Sequence, residues 1–193
     1  MRLRRLNRLP PAMNLRRLLC VLTFVGLILA GLALSACGKE ENSKNTTEGV
    51  PVVLGDLQYK VLFSRLLNPD DVEDREYLTD QPQLAPDQLW LGVFVQIINK
   101  NKDQDETIPS GWEVEDTQHN TYVPVPSDSP YALDFDVPVG AEDQVPALDS
   151  TPQVGPIGGS MVLFQISQEA TTNRPLELTI PTDQGTATVR LDA

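Results

Sequence analysis

Oxygen-bearing side chains recur at alternate positions in one segment of the chain, which is how a calcium-binding loop begins. The segment contains Asn99, Asn101, Asp103 and Asp105, and Glu106 follows directly. Carboxylate and amide oxygens are the ligands that Ca²⁺ takes in proteins, and in an EF-hand they alternate along the first half of the loop. Calcium binding is therefore the first chemistry that these residues suggest.

The rest of the EF-hand pattern is missing from this segment. Counted from Asn101, the sixth residue is Glu106, where the motif needs glycine, and the twelfth is Trp112, where it needs a bidentate glutamate. A looser calcium site is the alternative, and its candidate ligands are Asp103, Asp105, Asp134, Asp136, Glu142 and Asp143. We favour a solvated acidic surface without a metal, because charged residues are common in surface loops.

Candidate catalytic residues are scarce. His119, between Gln118 and Asn120 in a predicted turn, is the single histidine and could act as a general base. A base needs a partner that orients it, and the sequence offers none beside His119. The chain has no G-x-S-x-G, P-loop or G-x-G-x-x-G motif, and it lacks the cysteine and histidine clusters of zinc sites. We predict no enzyme activity, no catalytic residue and no cofactor, with an envelope hydrolase as the least favoured alternative.

The first 36 residues have the composition of a secretory signal. Six arginines and no acidic residue occupy residues 1–17, and residues 18–36 form a run of nineteen residues without a charge. A basic stretch, an apolar run and an exit of small residues are typical of a signal peptide, whose basic end stays in the cytoplasm. We therefore expect the remainder of the chain to be exported.

The exit of this leader matches the bacterial lipobox, an aliphatic residue and two small residues before a cysteine. Here the four residues are Leu34, Ser35, Ala36 and Cys37. The resemblance implies cleavage between Ala36 and Cys37 and a diacylglycerol on the Cys37 sulfur, with a further acyl chain such as palmitate. Two or three chains anchor a protein stably. The alternatives are an uncleaved membrane helix, for which nineteen residues just suffice, and an ordinary signal that leaves Cys37 free.

Loss of the leader would make the chain strongly acidic. The full sequence has fifteen basic and twenty-seven acidic residues, and the leader contains six of the basic ones. The mature chain would keep nine basic and twenty-seven acidic residues, a formal net charge of −18. Such a surface repels nucleic acid, so we exclude nucleic-acid binding. Because Cys20 leaves with the leader and Cys37 carries the lipid, we expect no disulfide in the folded part.

The sequence predicts that the elements that position these residues are β-strands. Residues 57–63 alternate between apolar and polar side chains, whereas residues 89–98 and 161–166 are apolar on nearly both faces. Residues 112–125 and 175–191 each predict a hairpin around a polar turn. About seven strands are expected, which favours an immunoglobulin-like antiparallel β-sandwich. We expect its core to include the aromatic residues Trp90, Phe94, Trp112 and Tyr122.

The chain divides into three parts. Residues 1–36 are the predicted lipoprotein signal, residues 37–49 a lipidated, flexible tether, and residues 50–193 the sandwich domain. One helix is expected at residues 70–78. The long segment 127–159 is expected to cross between the sheets, held by Tyr131, Leu133, Phe135 and Leu148, with a short edge strand within 135–139.

The order of the strand ends resembles a known family. The stretches VQIINKN, WEVEDTQHNTYVPV and GPIGGSMVLFQIS, within residues 57–192, resemble the telokin-like, immunoglobulin-like extracytoplasmic domain of unknown function in bacterial lipoproteins. The resemblance implies a fold and a location, and it brings no catalytic residues. The matching positions are Asn99, Asn101, Asp116, Asn120, Tyr122, Gly159 and residues 162–164.

Together these features predict a lipoprotein anchored by its lipid at the extracytoplasmic face of the bacterial cell membrane. We expect a non-catalytic binding or structural module with a protein partner in the envelope. The alternative is an accessory lipoprotein that binds calcium or a small ligand. In either case the membrane is contacted through the lipid on Cys37.

Overall fold

Two β-sheets lie face to face in the computed structural model, which describes residues 43–193. The strands, numbered along the chain, are β1 (Ser43–Thr47), β2 (Val52–Leu54), β3 (Leu57–Leu67), β4 (Gln88–Asn99), β5 (Glu106–Thr107), β6 (Glu113–Glu115), β7 (Thr121–Tyr122), β8 (Pro138–Val139), β9 (Gln144–Val145), β10 (Ser160–Ser167), β11 (Leu176–Thr182) and β12 (Gly185–Leu191). The first sheet has the order β1-β12-β11-β6-β7, and the second has the order β10-β4-β3-β2 with β9 added to β4. Strands β5 and β8 pair in a separate ribbon.

The predicted antiparallel β-sandwich is confirmed, with one parallel pair, β1 and β12. The predicted hairpins are β6–β7 and β11–β12, and the predicted apolar strands are β4 and β10. The expected number of about seven strands is too low. Strands β5, β7, β8 and β9 have two residues each, which is too short for side-chain alternation to reveal them.

The position of strand β4 between two cores explains why its sequence is apolar on both faces. Leu91, Val93 and Val95 point into a core between the two sheets, whereas Trp90 and Phe94 point into a second core on the other face of the same sheet. All five side chains are almost completely buried. A central strand with a core on each face has no polar side to alternate with.

The second core lies under two long connections that cover the outer face of the second sheet. Tyr77 and Tyr131 come from these connections and pack against each other with ring centroids 4.7 Å apart. The Asp74 carboxylate, which is buried, pairs with Arg65 on β3 and accepts a hydrogen bond from the Asn68 amide at 2.8 Å. These contacts hold the first connection against the sheet.

The helix expected at residues 70–78 is wrong. The segment forms successive turns, with Asp71 N donating to Asn68 O and Tyr77 N donating to Asp74 O. Because Asp74 is held by β3, the chain follows the sheet instead of winding around an axis of its own. A helix of nine residues is marginal without such competition.

The long segment 127–159 contains elements of its own. Strand β8 lies in the stretch where an edge strand was expected, and a short helix, α1 (Thr151–Val154), follows β9. Tyr131 and Leu133 are buried as expected, and Phe135 packs against the first core. Leu148 was expected to hold the segment in place, but its side chain is 69% exposed. That expectation was wrong, because Leu148 lies in a surface turn and contacts neither core.

Strand β1 shows that the sandwich begins earlier than the expected boundary at residue 50. Residues 43–47 fall inside the predicted tether, yet they pair with β12, from Ser43 opposite Thr186 to Thr47 opposite Arg190. The strand was missed because its side chains are polar, and backbone hydrogen bonds rather than an apolar face place it on the sheet edge. The leader, the cleavage site at Ala36 and the lipidation site at Cys37 lie outside the described residues. Between residues 43 and 193 no helix has the length and apolar character to cross a membrane.

A buried carboxylate organises the turn between β6 and β7. Asp116 accepts hydrogen bonds from Gln118 N at 2.8 Å, Asn120 N at 3.0 Å and Asn120 Nδ2 at 2.9 Å. Asn173 Nδ2 reaches it at 3.3 Å from the loop before β11. Burial opposes the charge on this carboxylate, but the hydrogen bonds outweigh burial and lower the pKa of Asp116. The turn and the loop beside it are thus held by one ionised group.

Candidate functional site

A cleft of about 760 Å³ opens at one end of the sandwich. Three connections meet there: the turn between β2 and β3, the turn between β11 and β12, and the loop from β4 to β5. Four carboxylates at these connections line the cleft around Tyr59: Asp56, Asp105 and Asp183 within them, and Glu106 at the start of β5. We call this site the acidic cleft. The volume lies within the range of small-molecule and side-chain binding sites.

The turns that present these carboxylates follow from local sequence. Gly55 has a φ of 58° in the two-residue turn before β3, a conformation that glycine adopts without strain, and Asp56 follows it. Asp183 lies in the two-residue turn that joins β11 to β12. Because the two sheets end at the same level here, both turns face the cleft.

The loop from β4 to β5 is held by the buried side chain of Asn99. Its Nδ2 group donates to the carbonyl oxygens of Gln104 at 2.9 Å and of Val139 and Gly140 at 3.0 Å. Its Oδ1 atom accepts from Asn101 N at 2.9 Å. These bonds fix the loop against β8 and thereby place Asp105 and Glu106 at the cleft.

Hydrogen bonds within the cleft orient the carboxylates but do not neutralise them. Asn101 Nδ2 lies between Asp56 Oδ2, at 2.9 Å, and Glu106 Oε1, at 3.4 Å. Asp105 Oδ1 accepts from Ala141 N at 3.2 Å, and Asp183 accepts from Gln184 Nε2 at 3.2 Å. Each donor is uncharged, so four negative charges remain at the cleft.

None of these carboxylates forms a salt bridge within the part of the chain that the structure describes. The two salt bridges between residues 43 and 193 join Arg65 to Asp74 and His119 to Glu115, and neither involves the acidic cleft. A concave surface lined by charges of one sign concentrates the electric field at its mouth. The cleft therefore presents four carboxylates without an ion pair on one concave surface.

Tyr59 forms the inner wall of the cleft and carries an unusual hydroxyl. The residue is 1% exposed, and its hydroxyl has no hydrogen-bond partner among residues 43–193. Its ring packs edge-on against Trp112 with centroids 5.9 Å apart, and Trp112 Nε1 is likewise buried without a partner. Burial, together with the charges of Glu106 and Asp183, raises the pKa of Tyr59, which therefore stays neutral.

Of the expected calcium ligands, the structure brings together only Asp105 and Asp143 among the described residues: Asp105 Oδ1 and Asp143 Oδ2 lie 3.9 and 3.6 Å from the place that a Cβ on Gly140 would take. Asp105 lies opposite Gly140 on the β5–β8 ribbon, whereas Asp136 lies beyond the other end, where its amide donates to Ile108 O. Four residues of extended chain separate these positions, about 13 Å. Asp103 lies in a turn capped by Asn101, and Asp134 is exposed on the far side of Asp136.

The other acidic residues that the structure describes do not form a metal-binding cluster either. Between residues 43 and 193 no three aspartate, glutamate, histidine or cysteine side chains lie close enough to hold one metal ion. A calcium ion takes six to eight oxygens at about 2.3–2.6 Å, which requires tighter convergence than these carboxylates provide.

His119 has the orienting partner that the sequence did not reveal. Its Nδ1 atom contacts the Glu115 carboxylate across the β6–β7 turn, so the expectation that it lacks a partner was wrong. The partner lies four residues earlier because the hairpin folds back on itself. The imidazole is 86% exposed at the opposite end of the sandwich from the acidic cleft, so this pair and the cleft are separate features.

The residues of the acidic cleft were mostly not singled out from the sequence. Asp105 and Glu106 stood in the acidic segment, but Asp56 and Asp183 are ordinary turn residues, and Tyr59 belongs to an alternating strand. An aspartate in each of two short turns was the available signal. Only the packing of one sheet on the other places those two turns at the same cleft.

The comparisons with known proteins give similarity of fold. No protein-family model matches the sequence, and no curated protein matches it. The structure is similar to an uncharacterized β-sandwich protein from Clostridium difficile 630, with a TM-score of 0.48 and 12% identity over 80% of this chain and 97% of the other.

Two further solved structures come from Bacillus subtilis. The candidate lipoprotein ycdA, from subsp. subtilis str. 168, has a TM-score of 0.48 and 15% identity over 74% of this chain and 38% of its own. The yjhA protein has a TM-score of 0.45 and 12% identity over 76% of this chain and 99% of its own. This level of similarity supplies no function, partner or site residue.

Proposed function

We propose that this chain is a lipid-anchored lipoprotein on the extracytoplasmic face of the bacterial membrane, and that its sandwich is a non-catalytic binding module. The acidic cleft is its binding surface. The observation that carries this proposal is the set of four carboxylates without a basic partner, arranged around the buried Tyr59 hydroxyl. In this proposal the sandwich is a telokin-like, immunoglobulin-like domain.

The first described residue, Ser43, lies at the end of the domain where the cleft opens. Ser43 pairs with Thr186, two residues beyond Gln184 on the cleft wall. Five residues separate Cys37 from Ser43, and an extended chain of that length reaches at most about 20 Å. A lipid on Cys37 would therefore hold the acidic cleft close to the membrane, where a partner embedded in the membrane could reach it.

The cleft is better suited to binding than to catalysis. Asn101 Nδ2 donates to both Asp56 and Glu106, so these two carboxylates are held by a neutral side-chain amide. Acid–base catalysis by a carboxyl pair needs both groups to face the substrate. His119, the other candidate, lies exposed at the opposite end. An envelope hydrolase therefore remains the least favoured alternative.

Capture of envelope proteins tests the proposed binding surface. We expect the wild-type protein, purified in detergent, to retain at least one envelope protein that the double variant Glu106→Gln/Asp183→Asn does not. The substitutions remove two cleft charges and preserve side-chain size. Quantitative mass spectrometry of the retained proteins gives the ratio, and we expect a loss of about tenfold or more, as for a charged contact worth about 1.4 kcal/mol.

The matched control removes two charges from the outer face of the first sheet. Glu113→Gln/Glu177→Gln changes the net charge by the same amount, and neither side chain lines the acidic cleft. We expect this control to retain the same proteins as the wild type. Equal retention by the cleft variant, or equal loss in both variants, would show that the acidic cleft is not the binding surface.

A further inference from the structure

We propose that the acidic cleft binds an organic cation, the alkylammonium or guanidinium group of a polyamine or of a lysine or arginine side chain. The inference rests on the proposed function, because it names the ligand class of the same surface. It stands on three features of the described residues: uncompensated charge, the spacing of the carboxylates, and the orphaned hydroxyl of Tyr59.

The charge of the cleft determines the sign of the ligand. Asp56, Asp105, Glu106 and Asp183 face one cavity and have no ion-pair partner between residues 43 and 193. An anionic group in this cavity would meet repulsion from each carboxylate, whereas a cation would be attracted by all four. The ligand is therefore cationic.

The spacing of the carboxylates favours an extended cation over a metal ion. They lie at three separate connections, and within residues 43–193 no three acidic side chains converge on one point. A metal ion needs its ligands within one small coordination sphere. A guanidinium or ammonium group carries several N–H donors that point in different directions, so it can reach carboxylates that lie apart.

The Tyr59 hydroxyl supplies an acceptor at the inner wall. It is buried, it has no partner among residues 43–193, and it lies near enough to Glu106 and Asp183 for both charges to raise the pKa of Tyr59. A neutral phenol oxygen accepts a hydrogen bond from an N–H donor. A cation that entered between Glu106 and Asp183 as far as this oxygen would give it the partner that it lacks.

Removal of the Tyr59 hydroxyl distinguishes a role in ligand binding from a role in packing. A buried hydroxyl without a partner destabilises the folded state, so its removal should be neutral or stabilising in the absence of ligand. We therefore expect Tyr59→Phe to unfold at the temperature of the wild type or above it. A residue kept for packing alone would not also be required for binding.

Isothermal titration calorimetry on the full chain in neutral detergent tests the proposal. The probes are spermidine, the tripeptide acetyl-Gly-Arg-Gly-amide, its neutral counterpart acetyl-Gly-Gln-Gly-amide, and CaCl₂. We expect at least one of the two organic cations to bind, and the neutral tripeptide and Ca²⁺ to give no binding heat. We also expect Tyr59→Phe to weaken binding about tenfold and Glu106→Gln/Asp183→Asn to weaken it by more.

The two cationic probes distinguish the two sources of the same chemistry. Binding of the arginine tripeptide alone assigns the cleft to a protein side chain, and binding of spermidine alone assigns it to a free polyamine. The proposal is overturned if neither cation binds, if Tyr59→Phe binds as tightly as the wild type, or if Ca²⁺ binds with the same dependence on Glu106 and Asp183.

Failure of this inference can be told apart from failure of the proposed function. If neither cation binds but the cleft variant still loses envelope proteins, the ligand class is wrong and the binding surface stands. If the cleft variant retains every envelope protein as well, the cleft has no binding role and both proposals fall.

Discussion

Replacement of Cys37 by alanine is expected to abolish stable membrane anchoring of the processed protein. The Cys37 sulfur is the predicted acceptor of the diacylglycerol, and alanine has no nucleophile for that transfer. Without two or three acyl chains, nothing in residues 43–193 is long and apolar enough to hold the domain in a bilayer as a spanning helix. The product should either be released after cleavage or keep its leader. Detergent phase partition combined with intact-mass spectrometry distinguishes these outcomes.

The second cysteine provides the control for this experiment. Cys20 lies within the predicted leader, so Cys20→Ala should give a product of the same mass as the wild type, partitioning into the detergent phase. The lipoprotein interpretation fails if Cys37→Ala yields a processed product that still partitions into detergent. It also fails if the wild-type mass lacks an added lipid.

Asp116→Ala is expected to destabilise the sandwich by about 3 kcal/mol, because a single carboxylate accepts hydrogen bonds from the turn and from the neighbouring loop. Removal leaves the amide hydrogens of Gln118 and Asn120 and the Asn173 side chain without their acceptor. For a domain of this size such a loss lowers the melting temperature by roughly 10 °C. Thermal and urea unfolding monitored by circular dichroism measure it.

The contribution of Asp116 should also depend on pH in a defined direction. Burial opposes its charge, but hydrogen bonds outweigh burial and hold the pKa of Asp116 below that of an unfolded aspartate, about 3.9. The stabilisation is therefore fully present above pH ~3.9 and is lost as the pH falls through the lower, folded pKa. The wild type should lose more stability in this acidic range than Asp116→Ala.

Asp116→Asn is the matched control for the charge. Asparagine keeps one carbonyl acceptor and the size of the side chain, so it should lose less stability than alanine at neutral pH. It should also lack the acid-dependent loss of the wild type. Equal stability of the wild type and Asp116→Ala at pH 7 would contradict the structural role assigned to this carboxylate.

Much of the fold could be predicted because long strands leave a pattern of side chains. Strand β4 is apolar on both faces since Trp90 and Phe94 enter one core while Val93 and its alternate neighbours enter the other. The hairpin between β11 and β12 was visible because its polar turn separates two alternating strands. In both cases the burial of a side chain follows from its position along its own strand, so the local sequence suffices to predict it.

Other features depend on contacts distant in sequence and could not be predicted. Strand β1 is held by backbone pairing with β12. Its side chains are polar, so the sequence predicted a tether there instead of a strand. Segment 70–78 was expected to be a helix, but Asp74 pairs with Arg65 on β3 and the chain forms successive turns. The acidic cleft needs Asp56 and Asp183 at the same end of the two sheets. Nothing near either residue in the sequence indicates the other.

Cross-linking inside intact cells tests the binding role of the acidic cleft most directly, because it requires neither extraction nor a known ligand. A photoreactive amino acid is placed at Gln184 on the cleft wall, or at Gln118 in the β6–β7 turn. Both residues are exposed turn glutamines. The seven residues of β11 between the two ends span about 20 Å.

We predict a cross-linked envelope partner from position 184 and none from position 118. The partner should be lost when Glu106→Gln/Asp183→Asn is introduced into the same chain. Cross-links from position 118 alone, or cross-links from position 184 that persist in the cleft variant, would contradict the assignment of the acidic cleft as the binding surface.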